Sequence, residues 1–347
     1  MIDILFYMKA FGVKQQLKNG EISGEDAFKK FEEYRREYPV VYNIETTNLC
    51  NMRCVMCPRT TLMDRSIVEL DMKSYTKVVD QLKPWSSDEW NKWESFVSNN
   101  YLIKKNDMSE NHFFLYVIPK VIVLHGYGAP LLDKHIVERV KILSERGIPS
   151  YFSCNPANIN LNKTREIFKA GLDYIKFSIE SVDDLKHKKI RGEASNFSDS
   201  YKKILHLIDE NYDTKIVITM LDLNQESQYE EYQNLVEKFK DFGNVYLYLK
   251  SQDCLWYNDT GSTTNSIHWI EPCQFPWSSM TIKSDGMATQ CVEDYNNDII
   301  LGDAKIDSLH DIWNSEKYKK FRKSHLTKKG IERCTKRCDM RLLGDFK

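Results

Sequence analysis

Three of the chain's nine cysteines, Cys50, Cys54 and Cys57, fall in the stretch "CNMRCVMC". Three thiolates on one short loop can hold three irons of a cubane cluster and leave the fourth iron without a protein ligand. Open coordination of this kind separates catalytic metal centres from closed structural ones. A structural zinc wants four ligands, usually as two pairs, and three cysteines with no nearby histidine suit it badly. Four further cysteines, Cys273, Cys291, Cys334 and Cys338, lie late in the chain and are enough to close a second site completely. By spacing alone that second site suits zinc as well as an iron–sulfur cluster. Cys154 and Cys254 are left over as singles, and the odd total excludes a complete disulfide framework.

The elements that position the first loop are legible as an alternation of β-rich runs and helical patterns. Strands are expected at 40–47, 120–126, 149–154, 174–180, 214–221 and 244–250. Helices are expected at 70–82, 133–147, 162–171, 199–211 and 226–243. Such an alternation implies a parallel sheet of right-handed βαβ units. The loop that follows its first strand then lies at the carboxyl ends of the strands, where parallel sheets bind ligands. Residues 84–118, with Trp85, Trp90 and Trp93, interrupt the rhythm as either a binding lid or a surface insertion. Residues 1–38 read as a helical extension, 39–250 as the core, 251–272 as a polar linker and 273–347 as a small cysteine-bearing domain. In the last, "SMTI" and "MATQC" are expected to pair as a hairpin about the turn "KSDG", bringing Cys273 and Cys291 toward one end.

The composition is that of a soluble globular protein, with 41% hydrophobic and 29% charged residues. With 49 basic and 50 acidic residues, the charge gives no support to nucleic acid or a membrane surface as partner. No segment carries the roughly 18 uninterrupted apolar residues of a membrane span, and the first twenty residues do not read as a signal peptide. A cytoplasmic location is expected.

The C-x-x-x-C-x-x-C spacing after a first strand resembles the signature of radical S-adenosylmethionine (radical SAM) enzymes. The resemblance implies an α/β fold, a partial (β/α)6 TIM-like barrel with a small C-terminal hairpin-plus-helix cluster domain. It implies a 4Fe-4S cluster on Cys50, Cys54 and Cys57 whose open iron is chelated by SAM. An electron delivered through the cluster, from a flavodoxin or ferredoxin, would cleave SAM to a 5'-deoxyadenosyl radical that abstracts hydrogen from substrate. Further motifs match in chain order. Met56 takes the place of a residue that packs on adenine, and "HGYGAPLL" resembles the glycine-rich segment that receives the methionyl amino group. Gly126 and Gly128 match there, while Ala129 replaces the usual glutamate. Ser153 and Asn155 in "FSCNPANI" and Ser178 in "KFSIES" keep their places. "KKIRG" implies that Arg191 pairs with the SAM carboxylate, and Met220 occupies a position of apolar contact with adenine.

Cys273, twelve residues, Gly286, four residues and Cys291 resemble the opening of the SPASM and twitch domains appended to such enzymes. With Cys334 and Cys338, the resemblance implies one fully ligated auxiliary 4Fe-4S cluster whose role is electron transfer. Hydrogen abstraction, deprotonation and electron loss to that cluster would dehydrogenate a small polyhydroxylated or aminocyclitol-like molecule. The base is not identifiable among His125, Tyr127, Lys250, Asp253 and Cys254. Peptide or protein modification, redox-neutral epimerisation and a metal-binding scaffold with no SAM chemistry are the other readings. About 40 residues before the core leave little room for a peptide-recognition domain of the size such relatives carry.

Overall fold

In the segment "YIKFS" the apolar Ile175 and Phe177 are fully buried, while Tyr174, Lys176 and Ser178 between them stay partly open. That alternation is the period of a strand with two different faces, and the computed structural model extends it across a sheet. The structure describes residues 1–101, 103, 109–223, 227–250 and 273–326. Cys254, Cys334, Cys338, Asp253 and the expected linker 251–272 lie outside the described residues.

Among the described residues nine strands form one sheet, in the order β6-β5-β4-β3-β2-β1-β7-β8-β9. The first six, β1 (Val41–Ile44), β2 (Ile122–Val123), β3 (Ser150–Cys154), β4 (Tyr174–Ser178), β5 (Lys215–Leu221) and β6 (Val245–Lys250), are parallel and adjacent in chain order. Helices 72–79, 136–145, 161–169, 197–209 and 228–239 cover one face of it. Their Val78, Val140, Ile167, Ile204 and Leu235 join Ile44, Ile122, Phe152, Ile175 and Ile218 in one buried cluster. With β6 at one edge and β9 at the other the sheet does not close, so the six strands form a partial barrel.

The opposite, inner face carries Tyr42, Val123, Tyr151, Val217 and Tyr248, and a second apolar cluster fills it. That cluster takes Phe6 and Tyr7 from helix Ile4–Lys18 and Trp93, Val97, Phe113 and Leu115 from the interrupting segment. The segment contributes helix Ser87–Tyr101 and a π-helical turn Phe113–Val117. Its Phe113 ring sits 5.3 Å from Tyr151 and 5.6 Å from Tyr248. Trp93 is fully buried and donates from Nε1 to the Leu115 carbonyl at 2.7 Å. The described part of 84–118 therefore packs inside the barrel, because its aromatic residues meet a sheet face that no βα helix covers.

After the core, β7 (Met280–Ile282) pairs parallel with β1, and β8 (Met287–Thr289) and β9 (Gly302–Asp303) continue antiparallel. The expected hairpin is present. Gly286 closes its turn at φ +84°, a left-handed conformation that favours glycine. A Cβ there would also sit 2.6 Å from Lys305 Cγ.

Where β1 ends, the buried Glu45 carboxylate accepts from Arg65 Nη2 at 2.8 and 3.0 Å and from the Tyr127 N–H at 3.0 Å. It also accepts from the backbone N–H and hydroxyl of Ser284 at 3.1 and 3.0 Å. Burial opposes its ionisation, but the Lys283 and Arg65 charges and the two N–H groups outweigh burial and hold its pKa below the ordinary 4.5. A depressed pKa stabilises the fold fully above pH 4.5 and ceases to do so as pH falls through the folded value. Glu45→Gln leaves the Arg65 guanidinium buried without its counter-charge. It should cost roughly 3–5 kcal/mol of unfolding free energy in urea titration. The difference from wild type should shrink as the titration is repeated at pH values below 4.5. Trp93→Ala should cost roughly 3–5 kcal/mol in the same measurement, with the parallel sheet's circular dichroism retained.

Candidate active site

The carboxyl ends of the strands surround a cleft of about 300 Å³, and Cys50, Cys54 and Cys57 all open into it. The cysteine loop is fastened at both ends. Asn48 accepts from the Val68 N–H at 2.7 Å and donates to the Ser66 carbonyl at 2.8 Å. On the far side, Arg53 and Val55 donate backbone N–H bonds to the carbonyls of Arg191 and Ile190 at 3.2 and 2.9 Å. Those two residues end helix Asp184–Arg191. Met52, Met56, Ile190, Leu221 and Leu223 form an apolar shell around the thiols. Burial raises the pKa of Cys50, and it pushes that of Cys57 up to about 12, so metal ligation at this loop releases protons.

Among the described residues no three His, Cys, Asp or Glu side chains converge closely enough to hold one metal ion. A cubane makes no such demand, since each thiolate takes its own iron. Three thiols on one wall of an apolar-shelled cleft fit that group.

The glycine-rich segment lies against the start of this loop. A Cβ at Gly126 would stand 2.4 Å from Glu45 Oε1, and one at Gly128 would stand 2.1 Å from the Thr47 carbonyl. The neighbouring Ala129 is buried and donates its N–H to the Leu49 carbonyl at 2.7 Å. Ser153 and Ser178, on adjacent strands, point their hydroxyls into the cleft 3.4 Å apart. Asn155 lines the cleft too, but its carboxamide is committed to the Ala157 N–H and the Ser195 hydroxyl, both at 2.9 Å. Arg191 reaches the cleft with one Nη on Glu180 and the other 3.5 Å from Cys54 Sγ.

One residue stands elsewhere than expected. Met220 is fully buried among the helix-facing residues Ile216 and Ile218, because alternation along β5 turns it away from the cleft. Its neighbours Thr219 and Leu221 face the cleft instead.

Of the residues considered as bases, His125, Tyr127 and Lys250 line the cleft. His125 accepts the Ser153 N–H at Nδ1 over 3.0 Å, and burial, reinforced by Lys176 and Lys250, pushes its pKa down to about 3. Its ring is therefore neutral. Tyr127 donates from its hydroxyl to Glu293 at 3.0 Å, and its ring meets that of Tyr295 at 6.0 Å. It spans the space from the cleft to the segment after Cys291. Sequence reasoning missed Glu45, Lys176 and Glu180. For Lys176 a signal existed: a lysine in mid-strand of a parallel sheet, where both faces are usually apolar.

Residues 110–238 match the family model of the radical SAM superfamily, and residues 273–339 match SPASM, an iron–sulfur cluster-binding domain. No curated protein matches this sequence. Among solved structures, Streptococcus suis SuiB bound to S-adenosylmethionine is similar with a TM-score of 0.56 at 14% identity, over 86% of this chain and 69% of that one. Native anSMEcpe with bound AdoMet is similar with a TM-score of 0.50 at 13% identity, over 82% of each chain. BtrN in complex with AdoMet and 2-DOIA has a TM-score of 0.48 at 18% identity, over 85% of this chain and 89% of that one. At these identities the likeness speaks for the fold alone. With the two family models matched in order along one chain, and three thiols gathered in the cleft of a partial barrel, the protein belongs to the radical SAM superfamily and carries a C-terminal SPASM-like domain.

Proposed function

We propose that the protein dehydrogenates a small polyhydroxylated or aminocyclitol-like molecule by SAM-derived radical chemistry, with a second cluster as electron acceptor. The observation that carries this reading is the convergence of the three thiols with Gly126, Gly128, Ser153, Ser178 and Arg191 in one cleft. A four-iron cluster held there by Cys50, Cys54 and Cys57 would, together with SAM, supply the radical chemistry that takes a hydrogen atom from substrate. Cys273, Cys291, Cys334 and Cys338 would hold an auxiliary cluster that would serve as the electron sink, and a flavodoxin or ferredoxin in the cytoplasm would supply the first electron.

The chain's own residues bind and orient. The close approach of Gly126 to the Glu45 carboxylate and of Gly128 to the Thr47 carbonyl leaves backbone groups of this segment to receive the methionyl amino group. Met56 and Leu221 offer apolar surface to adenine, and the Ser153 and Ser178 hydroxyls face the ribose and carboxylate region. Phe113, Tyr151 and Tyr248 fill the inner face of the barrel beside the cleft, and this packing favours a small molecule over a folded peptide segment.

Anaerobic reconstitution should load about eight irons and eight sulfides per chain, two cubanes' worth. Dithionite should then convert SAM to 5'-deoxyadenosine. Zinc in place of iron, or intact SAM after reduction, would sink the proposal in favour of a metal-binding scaffold. Cys57→Ala should lose about half the iron and all SAM cleavage while keeping the auxiliary cluster's electron paramagnetic resonance signal. Gly128→Ala drives a methyl group into the Thr47 carbonyl and must push the segment away from the stretch that leads into the cysteine loop. It should weaken SAM binding at least about tenfold, roughly the loss of one good hydrogen bond, measured by equilibrium dialysis on reconstituted protein.

A further inference from the structure

Lys176 lies in the middle of β4 at an inward position, paired in register with Ser153 of β3 and Val217 of β5. Lys250 ends β6, in register with Leu221. Both line the cleft that holds the three thiols. Neither is needed to fill the barrel, which the aromatic residues already do. The Lys176 ammonium lies 5.7 Å from the Phe113 ring centroid and 5.8 Å from that of Tyr151, near the outer limit of cation–π attraction. Among the described residues it has no hydrogen-bond acceptor and no carboxylate in salt-bridge range.

An ammonium carries three donors and no acceptor, and leaving them unmet in a partly buried site is costly. The charges nearby do not remove the need. Glu110 and Glu180 favour the charged Lys176, while Lys250 and Arg191 oppose it. Glu180 is already spent on Arg191 and on the Leu221 N–H at 2.8 Å. Burial first, and Lys250 second, bring Lys176 down to about 7. The third group of this wall is His125. Because its Nδ1 accepts the Ser153 N–H, the neutral ring bears its proton on Nε2 and is a donor as well. Two ammoniums and an imidazole N–H therefore converge where substrate must sit, and the chemistry complementary to them is an oxyanion.

We propose that Lys176 and Lys250 form an acid-binding subsite, and that the substrate carries a carboxylate or phosphate group that seats on it. The inference rests on the cleft being the substrate site and narrows its substrate class. An aminocyclitol ammonium would meet like charges on this wall, whereas an acidic polyol would replace solvent with charge-assisted hydrogen bonds.

The test is a calorimetric titration of the reconstituted, SAM-loaded and unreduced protein with inorganic phosphate and with acetate, at about pH 6, below the value of about 7 to which burial brings Lys176. At least one of the two anions should bind at a single site. That binding should weaken at least about tenfold in Lys176→Met and in Lys250→Met, and Lys176→Arg should retain it, which separates loss of charge from loss of fold. The preferred anion tells a carboxylate substrate from a phosphate one. Absence of binding of both anions, equal binding by Lys176→Met, or competition between phosphate and SAM would overturn the proposal; the last would assign the lysines to the SAM carboxylate. No reductant enters this titration, so its outcome is independent of whether SAM is cleaved.

Discussion

A single buried carboxylate holds together the parts on which the cleft depends. Glu45 stands where β1 stops, and its four donors are Arg65 Nη2, the Tyr127 N–H, and the Ser284 N–H and hydroxyl. They come from three separate stretches: the return of the cysteine loop, the glycine-rich segment and the hairpin of the SPASM-like domain. A carboxylate offers about four acceptor sites, so the group is saturated. The buried pair with Arg65, at 0% and 5% side-chain exposure, is weak evidence for stability as such. Its consequence is geometric. A Cβ at Gly126 would collide with this same carboxylate, so charge and the absence of a side chain together fix how near the glycine-rich backbone comes to the end of β1.

Glu45 also bears on the departure at Ala129. The carboxylate usual at that position is missing, yet the segment is not short of anchors. The Tyr127 N–H reaches Glu45, and the Ala129 N–H reaches the Leu49 carbonyl beside Cys50. The backbone path that the family motif requires is thus held from β1 and from the cysteine loop. What Ala129 forgoes is a side-chain acceptor in the cleft, and this leaves the wall still richer in donors.

The order of the parallel strands was legible because each strand and helix carried its own period, and the hairpin was legible from Asp285-Gly286. The cysteine loop and most of the cleft residues followed from local motifs. Met220 was misplaced because a motif position does not give the phase of a strand; on β5 one residue's shift exchanges the helix face for the cleft face. The fate of residues 84–118 was hidden for a different reason. Nothing local distinguishes aromatic residues that hold down a surface loop from those that fill a barrel, and the decision is made by Tyr151 and Tyr248, which are distant in sequence. Glu45 and Glu180 were missed because their roles exist only once three or four segments meet.

Arg191 shows how such a meeting can leave a group ready for ligand. Its pairing with Glu180 bears on the role that the family resemblance implies, since a guanidinium tied to one carboxylate must serve another. The fork resolves this. Arginine has five N–H donors in fixed directions. Here Nη2 is given to Glu180, Nη1 lies against Cys54 Sγ, and the buried Nε has no hydrogen-bond partner. Glu180, itself fixed by the Leu221 N–H, holds the guanidinium charged and oriented. The buried Nε is closed to the cleft, but each Nη carries two N–H groups, so an incoming carboxylate need not break that pair to find a donor. Glu180 is then the positioning residue through which β4 aims Arg191 at the cleft.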